Sequence, residues 1–299
     1  MKKYLLILAI IIPLGGFFVA FQHFSSAKTI KSPRIVAKNP ANKNVTQDEP
    51  QSAPITKPEI QASTTLKTDN PTDQPIKTSC QYPSEILNLS NWKQTLPTGS
   101  NKKPTEIKEI ALASFQARPY FLANSSCDGV VFRAPVNGVT TSGSGYPRSE
   151  LREMTNGGKS LASWSTTSAI HSMYLEQAIT AVPKKKKHVV AGQIHDADDD
   201  VVVIRLEYPK LFVDINGKAG PTLDPNYTLG KKFSVKFVAD KGTINIFYNE
   251  SASPVFSMKK SGTGNYFKAG AYTQSNCSKE TDCSDNNFGE VVIYKLALQ

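Results

Sequence analysis

From about residue 80 onward, apolar residues come in short runs separated by turn chemistry, with little of the 3.6-residue rhythm of helices. Val130-Val131-Phe132, Val201 to Leu206, Leu211-Phe212-Val213, Phe233 to Val238, Ile244 to Tyr248 and Val291 to Tyr294 read as strands. Asn216-Gly217, Asp240-Lys241-Gly242 and Ser261-Gly262-Thr263-Gly264 supply turns between them. Only Pro104 to Phe115 has the pattern of a short helix. Short strands at regular spacing predict an all-β domain folded as a two-sheet sandwich.

Polar positions carry a second pattern. Three distant stretches place polar side chains at every second residue: Arg148-Ser149-Glu150-Leu151-Arg152, Gln193-Ile194-His195 and Lys268-Ala269-Gly270-Ala271-Tyr272-Thr273-Gln274. In a strand, alternate side chains share a face. Arg148, Glu150 and Arg152 then point one way and Leu151 the other. Gln193 and His195 flank an inward Ile194. Lys268, Tyr272 and Gln274 share a face on which small Gly270 leaves room. Such a surface suits an anionic, hydroxylated ligand, and it contains both an acid and a base.

The first 79 residues read differently. Met1-Lys2-Lys3 precedes an apolar run from Tyr4 to Phe21, and Ser25-Ser26-Ala27 offers small residues for a signal peptidase. Residues 1–27 are expected to be an export signal, with an uncleaved membrane anchor as the competing reading. Residues 28–79 are rich in Pro, Thr, Lys, Asn and Gln, and are expected to be a disordered linker. That leaves residues 80–299 as the folded domain. Its four cysteines, Cys80, Cys127, Cys277 and Cys283, are even in number, which in an exported chain implies disulfides. Cys277 with Cys283 closes a short loop, and Cys80 with Cys127 ties down the domain's first segment. Zinc is the weaker alternative, because no CxxC pair exists and the chain has only four His.

The net charge of +10 is shared between tail and domain. Residues 1–79 hold ten Lys/Arg and five Asp/Glu, leaving 25 basic against 20 acidic residues, a balance of +5, for the rest. A mildly basic domain suits an acidic polymer. Export, and the lack of helix-turn-helix or RNA-binding patterns, argue against nucleic acid.

The stretches Tyr146 to Glu153, Gln193-Ile194-His195 and Tyr266 to Gln274 resemble, in order, the three signatures of the family 7 polysaccharide lyases, mostly alginate lyases. The resemblance covers roughly residues 81 to 299. It implies a jelly-roll β-sandwich of the concanavalin A-like kind, with a concave sheet crossed by a substrate groove. Asn91-Trp92-Lys93-Gln94-Thr95-Leu96-Pro97 resembles the family's opening strand, although Gln94 replaces an apolar residue. That departure is expected to affect the domain's edge, with Trp92 packing in the core.

Such a lyase removes the proton on carbon 5 of a uronic acid and expels the glycosidic oxygen from carbon 4. Abstraction adds negative charge beside an existing carboxylate, so the site must neutralise it, and a guanidinium does so with paired donors. The resemblance assigns this to Arg148, aided by Gln193. It makes Tyr272 the acid, and the base too for one uronate epimer, with His195 the base for the other or a second carboxylate neutraliser; Arg148 and Lys268 would favour the phenolate. Glu150, Arg152, Lys268 and Gln274 are expected to be binding or supporting groups, Glu150 by orienting Arg148 or Arg152. No metal or organic cofactor is expected. Asp196, Asp198, Asp199 and Asp200 lack the spacing of a calcium loop and read as a solvated hairpin turn. Lys184 to Lys187 could touch a polyanion, but such a run reads first as a solvated loop.

Each motif alone has a bland reading, such as a surface ion-pair ladder or ordinary strand propensity. Their joint occurrence with matching parity favours a lyase over a non-catalytic carbohydrate-binding module. A glycoside hydrolase needs two carboxylates about 5 to 9.5 Å apart; Glu150 and Glu153 face opposite sides of a strand. In the family, Ile at the centre of the Gln-x-His triplet accompanies activity on guluronate-containing blocks, so Ile194 points that way. Endolytic action by a monomer is expected, with another polyuronate such as glucuronan as the alternative substrate.

Overall fold

The computed structural model describes residues 79–299. The export-signal, anchor and linker expectations fall outside the described residues. Among the described residues, no helix is long and apolar enough to cross a membrane.

Among the described residues, sixteen strands, numbered in chain order, form two antiparallel sheets, the two-sheet jelly-roll sandwich expected above. The larger sheet runs β11 (Lys218–Asp224), β10 (Lys210–Ile215), β9 (Asp200–Glu207), β8 (His188–His195), β15 (Tyr266–Thr273), β5 (Arg148–Thr155), β1 (Trp92–Ser100), β2 (Lys103–Ile107). Short β6 (Ser160–Leu161) pairs with β5. The smaller sheet runs β14 (Phe256–Lys259), β13 (Thr243–Tyr248), β12 (Phe233–Asp240), β7 (His171–Ala181), β16 (Phe288–Leu298), β4 (Val130–Pro135), β3 (Phe121–Ala123).

The core lies between the sheets. Leu151, Ile194, Phe267 and Ala269 from the larger sheet meet Phe132, Leu175, Phe237 and Val291 from the smaller. Each large apolar side chain removed from water contributes roughly 1.5–3 kcal/mol. Trp92 is buried in this core, as expected.

Two expectations need correction, and β7 and Gly270 carry features that the pattern did not show. Pro104 to Phe115 is not a helix: its first half is edge strand β2, and the remainder holds only a 3-10 turn, Ala111–Ser114. Pro104 is tolerated because an edge strand need not use every N–H, and Ile110, at φ 65°, breaks the chain direction before the turn. Strand β7 carries no obvious alternation, because Gln177 occupies an inward slot between Leu175 and Ile179 and donates to the Ala191 carbonyl. Gln94 is not at the domain's edge. It is fully buried on β1, paired opposite Leu151 of β5, and donates to Ser149 Oγ at 2.8 Å. Gly270 does more than leave room on the groove face. Its φ is +132°, and a Cβ there would lie 2.6 Å from the Ser149 carbonyl oxygen and 2.9 Å from Phe132, so the backbone itself requires glycine.

Both disulfides form as expected, Cys80–Cys127 and Cys277–Cys283. The Asp196–Asp200 segment is the turn joining β8 to β9, with Asp196 Oδ1 accepting from the backbone N–H groups of Asp198 and Asp199.

Candidate active site

Strand order alone brings the three polar stretches together, since β8, β15 and β5 are neighbours in the middle of the larger sheet. Lys268 pairs with Gln193 on one side and Arg152 on the other; Gly270 pairs with Glu150, Tyr272 with Arg148, and Tyr266 with His195. Strand β8 reaches this arrangement through a one-residue irregularity. Val189, Ala191 and Ile194 point into the core, so strict alternation breaks at Gly192, whose φ is +99° and whose absent Cβ would strike Leu175. The extra residue turns Gln193 and His195 outward.

Beneath the outer surface lies a buried ionic cluster centred on Glu150, which is 1 % exposed. Its Oε2 accepts from Arg148 Nη1 at 2.8 Å and pairs with Lys268 Nζ at 2.5 Å. Its Oε1 accepts from Gln193 Nε2 at 2.5 Å. Burial opposes ionisation of this carboxyl, but the Lys268 and Arg148 charges overcome it and hold Glu150 below the usual range. Burial, reinforced by the Arg148 charge, lowers Lys268 to about 8. Glu150 therefore orients Arg148, Lys268 and Gln193 together. Arg152 is not part of this cluster: it donates to the carbonyls of Glu153 and Ala162 and lies 3.8 Å over the Tyr266 ring.

Above the cluster is a groove of about 330 Å³, lined by Arg148, Arg152, Gln193, His195, Lys268 and Tyr272 among others. Glu150 and Gln274 do not line it. The Arg148 guanidinium carbon sits 3.8 Å over the Tyr272 ring, and Tyr272 Oη lies 2.8 Å from Ser144 Oγ. Arg148 Nε is buried with no hydrogen-bond partner. His195 Nδ1 is 2.7 Å from the Asp196 carbonyl, which can only accept, so Nδ1 carries the proton and Nε2 presents its lone pair. Burial lowers the His195 pKa, so the ring is neutral at neutral pH.

Tyr266 and Ser144 are site residues that motif reading passed over. Tyr266 stacks on His195 with ring centroids 5.1 Å apart, and its Oη lies 3.1 Å from Nδ1. Its parity with Lys268 and Tyr272 was the available signal. Ser144 lies between Gly143 and Gly145 in a loop, where no periodicity marks it.

A larger depression, about 580 Å³, lies on the smaller sheet and is lined by Tyr174, Lys236, Phe247 and Glu250 among others. Its lining contains no histidine and no arginine, whereas the smaller groove has both. Glu153 projects away from Glu150 and accepts from Trp164 Nε1 and the Phe267 N–H, which removes this pair as hydrolase carboxylates. Among the described residues, no group of three or more His, Cys, Asp or Glu side chains is placed to hold a metal ion.

Comparison with known proteins gives the same answer as this geometry. The family model described as alginate lyase matches residues 87–299. An alginate lyase of Klebsiella pneumoniae is 29% identical over 276 residues, covering 70% of this chain and 89% of that protein. The crystal structure of the alginate lyase from Corynebacterium sp. is 49% identical, covers 74% of this chain and 98% of its own, and superposes with a TM-score of 0.71. Alginate lyase AlgAT5 of polysaccharide lyase family 7 is 50% identical, covering 73% of this chain and 98% of its own, with a TM-score of 0.69. With sandwich, groove and three strand motifs all in agreement, the chain belongs to the alginate lyases of polysaccharide lyase family 7.

Proposed function

We propose that this alginate lyase cleaves its polymer endolytically, by β-elimination at guluronate-containing blocks, with Arg148, Gln193, His195 and Tyr272 as its catalytic residues. The observation that carries the assignment is the Arg148 guanidinium, which lines the groove, stacks over Tyr272 and is anchored from below by Glu150. A uronate carboxylate bound beside that guanidinium stays neutralised as negative charge builds on it, the role in which preorganised donors count most. Gln193 lies on the same floor.

The two proton transfers then fall to the remaining pair. His195 Nε2 takes the proton from carbon 5, the released electron pair forms the bond between carbons 4 and 5, and the bond from carbon 4 to the glycosidic oxygen breaks. Tyr272 gives its phenolic proton to the departing oxygen. Proton return from His195 to Tyr272 through solvent restores the site. In guluronate the carbon-5 proton and the leaving oxygen lie on opposite faces, which calls for two separate groups. Ile194 and this two-group arrangement support the guluronate reading. The site's place on central strands of the sheet supports internal cleavage, because chain can extend to both sides.

Export, by a cleaved signal or with a retained anchor, is part of the same proposal. The two disulfides suit an oxidising compartment, and the substrate is an extracellular polymer. The enzyme is proposed to act as a monomer.

The test is the ultraviolet absorbance of the new conjugated double bond on polyguluronate and polymannuronate, with viscosity followed in parallel. Faster absorbance growth on polyguluronate, with viscosity falling early, is expected, and chelator should leave both unaffected. Tyr272→Phe should lower kcat by about 10²–10⁴-fold. New reducing ends without absorbance, or a fully active Tyr272→Phe enzyme, would remove the elimination mechanism as drawn.

A further inference from the structure

The four lysines Lys184 to Lys187 join β7 to β8, and they are not equivalent. Lys184 Nζ pairs with Asp282 at 2.5 Å. Lys185 is exposed. Lys187 Nζ lies 5.9 Å from the centre of the Tyr208 ring. Lys186 alone reaches toward the catalytic side chains: its ammonium donates to Tyr146 Oη at 3.1 Å and sits 4.8 Å from that ring's centre. Tyr146 in turn meets the Tyr272 ring edge-on, with centroids 6.5 Å apart. Lys186 makes no ion pair among the described residues, and its ammonium faces the Tyr146 phenol.

This lysine is held in place from below. The Glu280 carboxylate, nine-tenths buried, accepts from the backbone N–H groups of Lys185 and Lys186, each at 2.8 Å. Its remaining bonds come from Ser275 Oγ at 2.7 Å and Asn287 Nδ2 at 3.1 Å. Glu280 itself lies inside the loop closed by the Cys277–Cys283 disulfide. A run of like charges on a free loop would spread into solvent. Here two backbone bonds to a buried carboxylate fix the loop beside the groove.

We infer that Lys186 and Tyr146 form a binding subsite for the carboxylate of a uronate neighbouring the one undergoing elimination. The inference rests on the lyase reading of the groove and extends it by one sugar. Arg148 holds the reacting carboxylate on the face of Tyr272. Lys186 holds the next one beyond the Tyr272 edge, and Tyr146 offers a ring for the sugar to lie against. A subsite of this kind acts on polymer capture and on the register in which the chain is cut. It has no part in the proton transfers.

Steady-state kinetics of the full chain on a polyuronate test this. Lys186→Gln should raise KM about 5-fold, the worth of one partly exposed ion pair, with kcat and the thermal midpoint unchanged. Its KM should also respond less steeply to salt. Lys186→Arg should restore most of the loss, and Lys185→Gln, on the same loop, should leave KM alone. An unchanged KM in Lys186→Gln, or an equal rise in Lys185→Gln, would overturn the subsite while leaving the lyase intact; the second result would mark diffuse attraction by the loop. Absence of unsaturated product from the unaltered chain would strike the lyase reading, and the subsite with it.

Discussion

Replacing Glu150 by glutamine removes one charge and almost no volume, from a point where three donors converge. Arg148 Nη1, Lys268 Nζ and Gln193 Nε2 all terminate on this carboxylate, which solvent barely reaches. In the Glu150→Gln variant two buried cations lose their common counterion, and the new amide NH₂ group opposes one of the donors. Breaking a buried pair by removing one partner costs about 3–5 kcal/mol. For a domain of this size, that corresponds to a fall of roughly 6–20 °C in Tm. The loss should carry a pH signature. In the unaltered protein Lys268 titrates at about 8. Without the Glu150 charge, its folded value drops further. Between that lower value and about pH 8, the folded variant binds one proton fewer than its unfolded chain, so its stability rises with pH. The unaltered protein stays flat over this window, because Lys268 is protonated in both states. The stability gap should therefore narrow as pH rises toward 8 and hold steady beyond it. Denaturant titrations from pH 6 to 9 measure it directly. A gap below 1 kcal/mol, or one that widens with pH, would refute the central place given to Glu150. Activity should fall by about 10²-fold in parallel, since a guanidinium without its anchor no longer holds the reacting geometry.

Other expectations follow from the same coordinates. The kcat/KM profile should fall on the acid side with a midpoint below about 6.5, because burial depresses His195 and only its neutral ring accepts a proton; a midpoint above 7 would contradict this. The alkaline side should fall near pH 8 as Lys268 loses its charge, and Lys268→Arg should move that limb upward. Gly270→Ala should cost about 2–4 kcal/mol in chemical denaturation, from the strained φ and the clash with the Ser149 carbonyl; a neutral result would deny the backbone requirement. Cys80→Ser with Cys127→Ser opens a 47-residue separation and should cost about 4 kcal/mol, with groove kinetics unchanged because this bridge lies away from the catalytic strands.

How far the sequence revealed this protein depended on whether a residue's neighbours were local or distant. Runs such as Val201 to Leu206 and Ile244 to Tyr248 announced β9 and β13, because hydrophobicity and branching act within a few residues. The face-sharing of Arg148 with Glu150, and of Lys268 with Tyr272, followed from parity on single strands. The tertiary partners did not. Nothing local says that Gln177 satisfies a carbonyl on another strand, or that Gln94 reaches Ser149, so one hid β7 and the other was misplaced at an edge. The irregularity at Gly192 was likewise illegible, since the clash that demands glycine comes from Leu175 in the opposite sheet. Lys186 stood in a run of four identical residues, and only its contact with Tyr146 separates it from the others.

The cluster under the groove floor has a further consequence for selectivity. Arg148 and Lys268 against Glu150 leave a surplus of one positive charge in a region that excludes water. A single uronate cancels that surplus. A neutral hexose leaves it uncompensated, and a sugar bearing a sulfate beside its carboxylate overshoots to negative. Within this cluster a single carboxylate is the matching charge, while the acidic and basic groups lining the groove around it, Arg152 and Asp198 to Asp200 among them, set the rest of the field.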